Sequence, residues 1–130
     1  MHTDDMQTKG MREEELRKMG GIFKILSVES RIRMLELLKA RPFCVNALAK
    51  HLGITPAAVS QHLRILREAD LVIPEKRGYF VHYRINEKTL HLWDEKIHKL
   101  LSPLSEEEAP GFLQREGISL CPERSTDRRG

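Results

Sequence analysis

The residues with the most evident chemistry lie between Thr55 and Arg67, where hydrogen-bonding and basic side chains recur and no acidic residue occurs. Hydroxyl, amide and guanidinium groups can hydrogen-bond base edges and phosphates, and the lack of carboxylates avoids repulsion of a polyanion. At helical spacing, one outward face would carry Ala57, Ser60, Gln61, Arg64 and Arg67. This face predicts contact with nucleic acid, and the alternative is an ordinary helical hairpin with a solvated polar surface.

Two short helices joined by a tight turn are predicted to position this face. Each has apolar residues at helical spacing that would face a core: Val45, Leu48 and Leu52 in the first, and Val59, Leu63 and Leu66 in the second. Gly53 tolerates the left-handed backbone that ends a helix, Thr55 is a good N-cap, and Pro56 suits the first helical position. A helix, a turn with glycine and a second helix with a polar outer face form a helix-turn-helix.

A change of period after this unit predicts a β-hairpin. Residues 71–73 form a short β-prone run, and Pro74 confines that run to a sheet edge or a strand end. Residues 75–78 form a polar turn, and alternation over residues 79–85 predicts the second strand. Such a hairpin is a wing, although a basic tip could also serve solubility alone. The residues that would contact phosphate or the minor groove are Lys76, Arg77 and Arg84.

Three further helices are predicted, at residues 11–26, 28–40 and 87 to about 101. Gly20 and Gly21 weaken the middle of the first, which would therefore begin properly only after them. Ser27 could cap the second, whose core positions would include Ile32. The last helix has an apolar stripe that needs a partner surface, and a two-fold mate is the commonest partner. That stripe comprises Leu90, Trp93, Ile97, Leu101 and Leu104.

Composition predicts one soluble globular domain over residues 11–104, with an unstructured tail at 1–10 and a largely unstructured tail at 105–130. The 130 residues are 40% hydrophobic and 32% charged, and no apolar run approaches the roughly 20 residues that span a bilayer. The charged N-terminus lacks the apolar segment of a secretory signal, so we expect a cytoplasmic protein without a membrane partner. No phosphate loop, nucleophile elbow or H-E-x-x-H motif occurs, so we expect no enzyme activity.

Residues 22–86 together resemble the ArsR/SmtB family of small bacterial and archaeal winged-helix repressors. The pieces that match are Leu26-Ser27 before Arg31-Ile32-Arg33-Met34-Leu35, Cys44-Val45 with Leu48-Ala49, Val59-Ser60-Gln61-His62-Leu63 with Leu66, Ala69-Asp70-Leu71-Val72, Arg77-Gly78, and Tyr83 with Ile85. Each piece is weak alone, but the combination is specific. Asp70 stands where the family usually has glycine after the recognition helix, and aspartate tolerates a left-handed backbone better than most residues.

The resemblance implies a mainly helical winged helix-turn-helix with four helices, a small β-hairpin and a last helix. It also implies a homodimer, joined through the first and last helices, that binds double-stranded operator DNA with two half-sites. Such proteins usually repress transcription and release DNA when a metal ion, metalloid or oxidant binds. The resemblance assigns DNA recognition to Ser60, Gln61, His62 and Arg64 of the recognition helix. It also places Thr55 and Ala57 near phosphate at the start of that helix.

The two cysteines, Cys44 and Cys121, are the candidate thiol sensors. Arsenic and cadmium sensors of the family often have Cys-Val-Cys where this chain has Cys44-Val45-Asn46, and soft metalloids normally need about three sulfurs. Cys44 and Cys121 could supply two thiolates per chain or four per dimer, or form a redox or persulfide switch, if the tail folds back. The alternative is that Cys44 is a small buried residue at a helix start.

Four residues of the last helix are the candidate metal ligands. His91, Asp94, Glu95 and His98 lie at i, i+3, i+4 and i+7, on one helical face that could meet a dimer mate, and imidazole and carboxylate suit zinc. The alternative is a solvated polar face. The sequence therefore allows four alternatives for the effector: a divalent metal, arsenite, a thiol oxidant, or no small molecule at all. A winged-helix module that binds protein instead of DNA is the other functional alternative.

Overall fold

The computed structural model describes residues 10–108. The elements over these residues are α1 Glu13–Leu26, α2 Glu29–Ala40, β1 Phe43–Cys44, α3 Val45–Leu52, α4 Pro56–Glu68, β2 Val72–Arg77, β3 Phe80–Ile85 and α5 Glu87–Leu101, followed by a 3-10 turn at Glu106–Glu108. This order confirms the predicted winged helix-turn-helix. The tails expected at 1–10 and 105–130 lie almost entirely outside the described residues, and Cys121 lies there too.

The helix-turn-helix formed by α3 and α4 begins and ends as the sequence predicts. Gly53 follows α3 with a φ of +69°, in the left-handed region that favours glycine. Thr55 caps α4, because its Oγ1 accepts the backbone N–H of Ala58 at 3.1 Å, and Pro56 is the first helical residue. These local signals fix where α4 starts and therefore which of its side chains face outward.

The corner that follows α4 is built on Asp70, which adopts a φ of +65° as expected. The backbone N–H of Leu71 donates to the carbonyl of Leu66 at 2.9 Å, which closes the end of the helix. The Asn86 side chain donates to the Asp70 carbonyl at 3.0 Å, and its backbone N–H donates to the Leu71 carbonyl at 2.8 Å. The end of α4 is thereby tied to the start of α5.

The sheet has three antiparallel strands in the order β1-β3-β2 within the described residues, so the structure adds a strand to the predicted hairpin. Pro74 lies inside β2, which is an edge strand as expected. The predicted turn at residues 75–78 was wrong. Because Arg77 pairs with Phe80, the turn comprises Gly78 and Tyr79 alone, and the polar residues before them belong to β2.

Two predictions for the first two helices were also wrong. Helix α1 runs through Gly20 and Gly21, because the buried side chains of Met19 and Ile22 on either side anchor it to the core. Ser27 does not cap α2, which begins one residue later than expected with Val28 at the N-cap. The hydroxyl of Ser27 instead donates to the Lys24 carbonyl at 2.8 Å, at the end of α1.

The core lies between the helix-turn-helix, α2 and the inner face of the sheet. Its most completely buried side chains are Met34, Leu48, Val59, Leu63, Leu66, Leu71 and Val72. Ile32 was expected in this core but is 49% exposed. The buried side of α2 is formed by Arg31, Met34 and Leu38, and Ile32 lies on the other side of the helix. None of the helices formed by residues 10–108 combines the length and the apolar character that a membrane crossing requires.

Candidate nucleic-acid interface

The outer surface of α4 presents the side chains that the sequence singled out. We call this set the α4 face, and it comprises Thr55, Ala57, Ser60, Gln61 and Arg64, all of them exposed. Arg64 Nη2 donates to Gln61 Oε1 at 3.0 Å, so these two side chains form one hydrogen-bonded unit one helical turn apart. The face therefore presents a guanidinium, an amide and two hydroxyls at the start and along one side of α4.

His62 differs from the other predicted contact residues of α4. Its ring is partly buried, and its Nδ1 is enclosed without a hydrogen-bond partner among the described residues. Burial and the nearby Arg31 guanidinium lower the pKa of His62, which favours a neutral imidazole. Arg31 itself is only 8% exposed and donates from Nε to the Ile25 carbonyl at 2.8 Å. His62 of α4 thus lies near Arg31 of α2, whose guanidinium is held by the Ile25 carbonyl of α1.

The wing, formed by β2, β3 and the turn between them, contains an acidic residue that the sequence reasoning missed. Glu75 accepts from Arg84 Nε at 2.6 Å and from Arg77 Nη2 at 3.4 Å. The hydrogen bond from Arg84, together with that from Arg77, holds the pKa of Glu75 below its ordinary value. The signal was the period of two, which places Glu75 and Arg77 on one face of β2 once the strand extends past Pro74.

The basic residues that were predicted to contact DNA from the wing are therefore not equivalent. Arg84 forms a close salt bridge with Glu75, and Arg77 forms a longer one with the same carboxylate. Lys76 is exposed and forms no ion pair within residues 10–108. The apex carries another group that the sequence reasoning assigned only to a strand. Tyr79 is completely exposed, and Phe80 and Val81 are partly exposed.

Cys44, the described member of the thiol pair, is half-buried at the start of α3. It pairs across the sheet with His82, whose Nδ1 is enclosed without a described partner. Directly opposed residues of adjacent strands share one face of a sheet, so a thiol and an imidazole are neighbours here. Asn46, in place of a second family cysteine, is exposed.

The structure brings two of the four candidate ligands of α5 together. His91 Nε2 lies 3.2 Å from Glu95 Oε2, and both side chains are well exposed. Asp94 and His98 are exposed as well. Over the described range of the chain, no group of three or more histidine, cysteine or acidic side chains converges on a possible metal position. One protomer thus presents these residues as a solvated face.

The first and last helices leave apolar side chains exposed. A salt bridge of 3.6 Å between Lys99 Nζ and Glu15 Oε1 joins α5 to α1. Exposed apolar side chains on the two helices and just beyond are Leu16, Phe23, Leu92, Leu100, Leu101 and Leu104. Leu101 is the most exposed of these, at 73%.

Comparison with known proteins places this architecture. Residues 29–73 match the family described as "Bacterial regulatory protein, arsR family". The arsenical resistance operon repressor of Bacillus subtilis is 34% identical over 111 residues, which cover 85% of this chain and 95% of that protein. The transcriptional repressor SdpR of the same organism is 32% identical over 72 residues, 55% of this chain and 80% of that one.

A solved structure shows the same fold as a dimer. The homodimeric winged helix-turn-helix DNA-binding domain of Mb0332 from Mycobacterium bovis superposes with a TM-score of 0.53 at 26% identity. The match covers 63% of this chain and 74% of that one, and its title describes a possible ArsR-family transcriptional regulator.

Proposed function

The chain belongs to the ArsR family of bacterial regulatory proteins, whose members are DNA-binding regulators and not enzymes, and we propose that it represses transcription by binding an operator as a homodimer. In each protomer α4 would enter the major groove and the wing would contact the adjacent backbone or minor groove. If its target is an operator on the bacterial chromosome, the protein would act in the cytoplasm.

The observation that best supports this proposal is the composition of the α4 face. Its exposed groups are hydrogen-bond donors and acceptors or small side chains, without a carboxylate from Thr55 to Arg67. The hydrogen bond between Gln61 and Arg64 orients two base-reading groups before DNA arrives, so less side-chain entropy is lost on binding. Arg64 is suited to the O6 and N7 acceptors of guanine.

For assembly, we propose that α1 and α5 form the dimer interface, as the family resemblance implied. Phe23 of α1 and Leu101 of α5 would be buried against a second copy, because exposed apolar side chains on two adjacent helices mark an interaction surface. The homodimeric relative supports a two-fold assembly. An isologous interface of this kind would present two copies of α4 to two half-sites.

For the effector, we propose that the protein senses a thiol-reactive signal at Cys44. We favour this site over a zinc site on α5. A three-thiolate metalloid site does not fit the described residues of one protomer, which contain Cys44 as their sole cysteine. The pairing of Cys44 with His82 supports a reactive thiol, and Cys121 would be its partner in a redox switch. A zinc site at His91, Asp94, Glu95 and His98 would need ligands from a second protomer. Regulation without a small effector is the remaining alternative.

The test is fluorescence anisotropy of the reduced protein on DNA from upstream of its own coding region, with an unrelated fragment of equal length as control. We expect tighter binding to the upstream fragment and a logarithmic affinity that falls linearly with logarithmic salt, because phosphate binding releases counterions. Equal affinity for both fragments, or binding insensitive to salt, would contradict operator recognition. Addition of zinc, arsenite or polysulfide to the protein and to Cys44→Ser then tests the effector separately.

A further inference from the structure

The apex of the wing is apolar, although its flanks are basic. Tyr79 is 100% exposed, Phe80 57% and Val81 40%. We call these three residues the wing tip. Runs of three exposed apolar residues promote aggregation. Where a protein retains such a run, the run often forms a contact with a partner. None of these three residues belongs to the buried core, so the wing tip is open to contact with a partner.

The turn fixes the direction of the wing tip. Gly78 holds the first of the two turn positions with a φ of +64°, and Tyr79 holds the second without a positive φ, the pattern of a type II′ turn. Such a tight turn twists with its strands and leaves little freedom at the apex. Tyr79 therefore projects into solvent from the apex of the hairpin.

A cation flanks the wing tip on each face of the hairpin. Arg77 pairs with Phe80 across the strands, and Lys76 pairs with Val81 one position further from the turn. Directly opposed residues share a face, so Arg77 and Lys76 lie on opposite faces. An apolar wedge between two cations fits a narrow groove whose sugar-lined walls lie between two rows of anions. That is the form of the DNA minor groove, about 6 Å wide and lined by sugars between two phosphate backbones.

We infer that the wing tip enters the minor groove beside the major groove that α4 reads, with Tyr79 as its leading side chain. This inference rests on the proposed function. Lys76 binds a phosphate on one side, and Arg77, which Glu75 holds only at 3.4 Å, exchanges that contact for a phosphate on the other. The Tyr79 ring packs against sugars and partly unstacks one base step. Unstacking is easiest at flexible pyrimidine–purine steps and hardest in stiff A-tracts, so Tyr79 makes the protein sensitive to flanking sequence that it does not read by hydrogen bonds.

The experiment compares two operator fragments that differ only in the flank under the wing, one with a TA step and one with an A-tract. Anisotropy should show the native protein binding the TA flank more tightly. Tyr79→Ala should weaken binding to the TA flank at least about fivefold, the low end of the contribution of an aromatic ring stacked on a base. It should also remove the preference between the flanks. Tyr79→Phe should keep both, because the ring and not the hydroxyl acts as the wedge.

Two matched variants separate the wedge from the charge. Tyr79→Arg should reverse the preference, because arginine favours the narrow, strongly negative minor groove of A-tracts. Lys76→Ala should lower affinity on both flanks equally and reduce the salt slope by about one, whereas Tyr79→Ala should leave that slope unchanged. Tyr79 is fully exposed, so unchanged circular dichroism and thermal unfolding should confirm that these variants fold.

Tyr79→Ala with native affinity and native flank preference would overturn the inference while leaving the proposed function intact. So would a Tyr79→Ala effect that is equal on both flanks. A native protein that distinguishes neither fragment from unrelated DNA would instead overturn the proposed function itself. The independent signature is the fluorescence of 2-aminopurine placed at the TA step, which is quenched while the base is stacked. We expect this fluorescence to rise on binding of the native protein and to remain low with Tyr79→Ala.

Discussion

Two regions of the protomer differ in how far their side chains are already brought together. One is the candidate DNA surface, formed by the α4 face and the wing, and the other is the set of candidate effector residues. On the DNA side, Arg64 and Gln61 are already hydrogen-bonded and Thr55 caps its helix. On the effector side, His91 and Glu95 meet each other alone, and Cys44 is the sole cysteine among the described residues. The proposed DNA-reading groups are therefore already arranged within the described residues of one protomer, whereas the candidate effector groups there form no site of three or more ligands.

This contrast follows from the kinds of signal that position each group. Residues of the α4 face are placed by caps and a glycine within a few positions of them in sequence, and the core then holds the helix. Metal and thiol sites require side chains distant in sequence, or on another protomer, to converge within a few ångströms. The variants below test the contrast, in order of decreasing expected effect.

The largest effect should come from removing the core support of α4. Leu66 is completely buried, so Leu66→Ala should lower the free energy of unfolding by about 2–5 kcal/mol through lost apolar contact and a cavity. Urea denaturation followed by circular dichroism measures this. Glu68→Ala, an exposed position two residues later, is the control, and equal losses in both variants would mean that α4 does not rest on this core.

Next in size is the loss of a base-reading group. Arg64→Ala should weaken operator binding by about 1–3 kcal/mol without lowering stability, because Arg64 is exposed and bonds only to Gln61. Anisotropy on the operator fragment measures the change, with Lys18→Ala on α1 as a basic control. Unchanged affinity would mean that Arg64 does not contact DNA and that the wrong face of α4 has been assigned to base reading.

The cap of α4 should have a smaller effect on stability. Thr55→Ala removes the acceptor for the Ala58 N–H and should cost about 1 kcal/mol of unfolding free energy. Thr55→Ser keeps the hydroxyl and should retain most of the stability in the same denaturation. A loss as large with serine as with alanine would assign the effect to the threonine methyl group and not to the cap.

A modest pH dependence should come from His62. Its pKa in the folded protein is lowered by burial and by Arg31, so the unfolded chain binds a proton more readily. The stability that His62 contributes is therefore complete above its unfolded pKa of about 6.5 and is lost as pH falls through the lower folded value. Thermal midpoints between neutral and mildly acidic pH should fall less in His62→Gln than in the native protein. Ser60→Ala, at an exposed site without a titratable group, should follow the native curve.

Much of this fold could be predicted from the sequence because its signals are local. Gly53, Thr55 and Pro56 mark the turn and helix start directly, and Asp70 marks the left-handed corner. The two-residue strand β1 could not be found in this way, because it exists only through pairing with β3, about forty residues later. Likewise, Gly20 and Gly21 suggested a break that core packing overrides.

The exposure of the candidate side chains on α4 could be predicted from the sequence, whereas the contacts between side chains on neighbouring strands could not. The exposed positions of Ser60, Gln61 and Arg64 follow from helical period alone. The engagement of Arg84 by Glu75 depends on cross-strand geometry, and the exposure of Tyr79 depends on a turn two residues long instead of four. Both errors came from ending β2 at its proline, which an edge strand tolerates.

The most direct measurement compares two double variants on the same operator fragment. Arg64→Ala with Lys76→Ala removes one group from the α4 face and one from the wing, whereas His91→Ala with Glu95→Ala removes the only candidate ligands of α5 that meet in one described protomer. By anisotropy without effector, we expect the first pair to weaken binding at least about tenfold and to flatten the salt dependence, and the second to bind like the native protein. The reverse result would contradict DNA recognition by α4 and the wing.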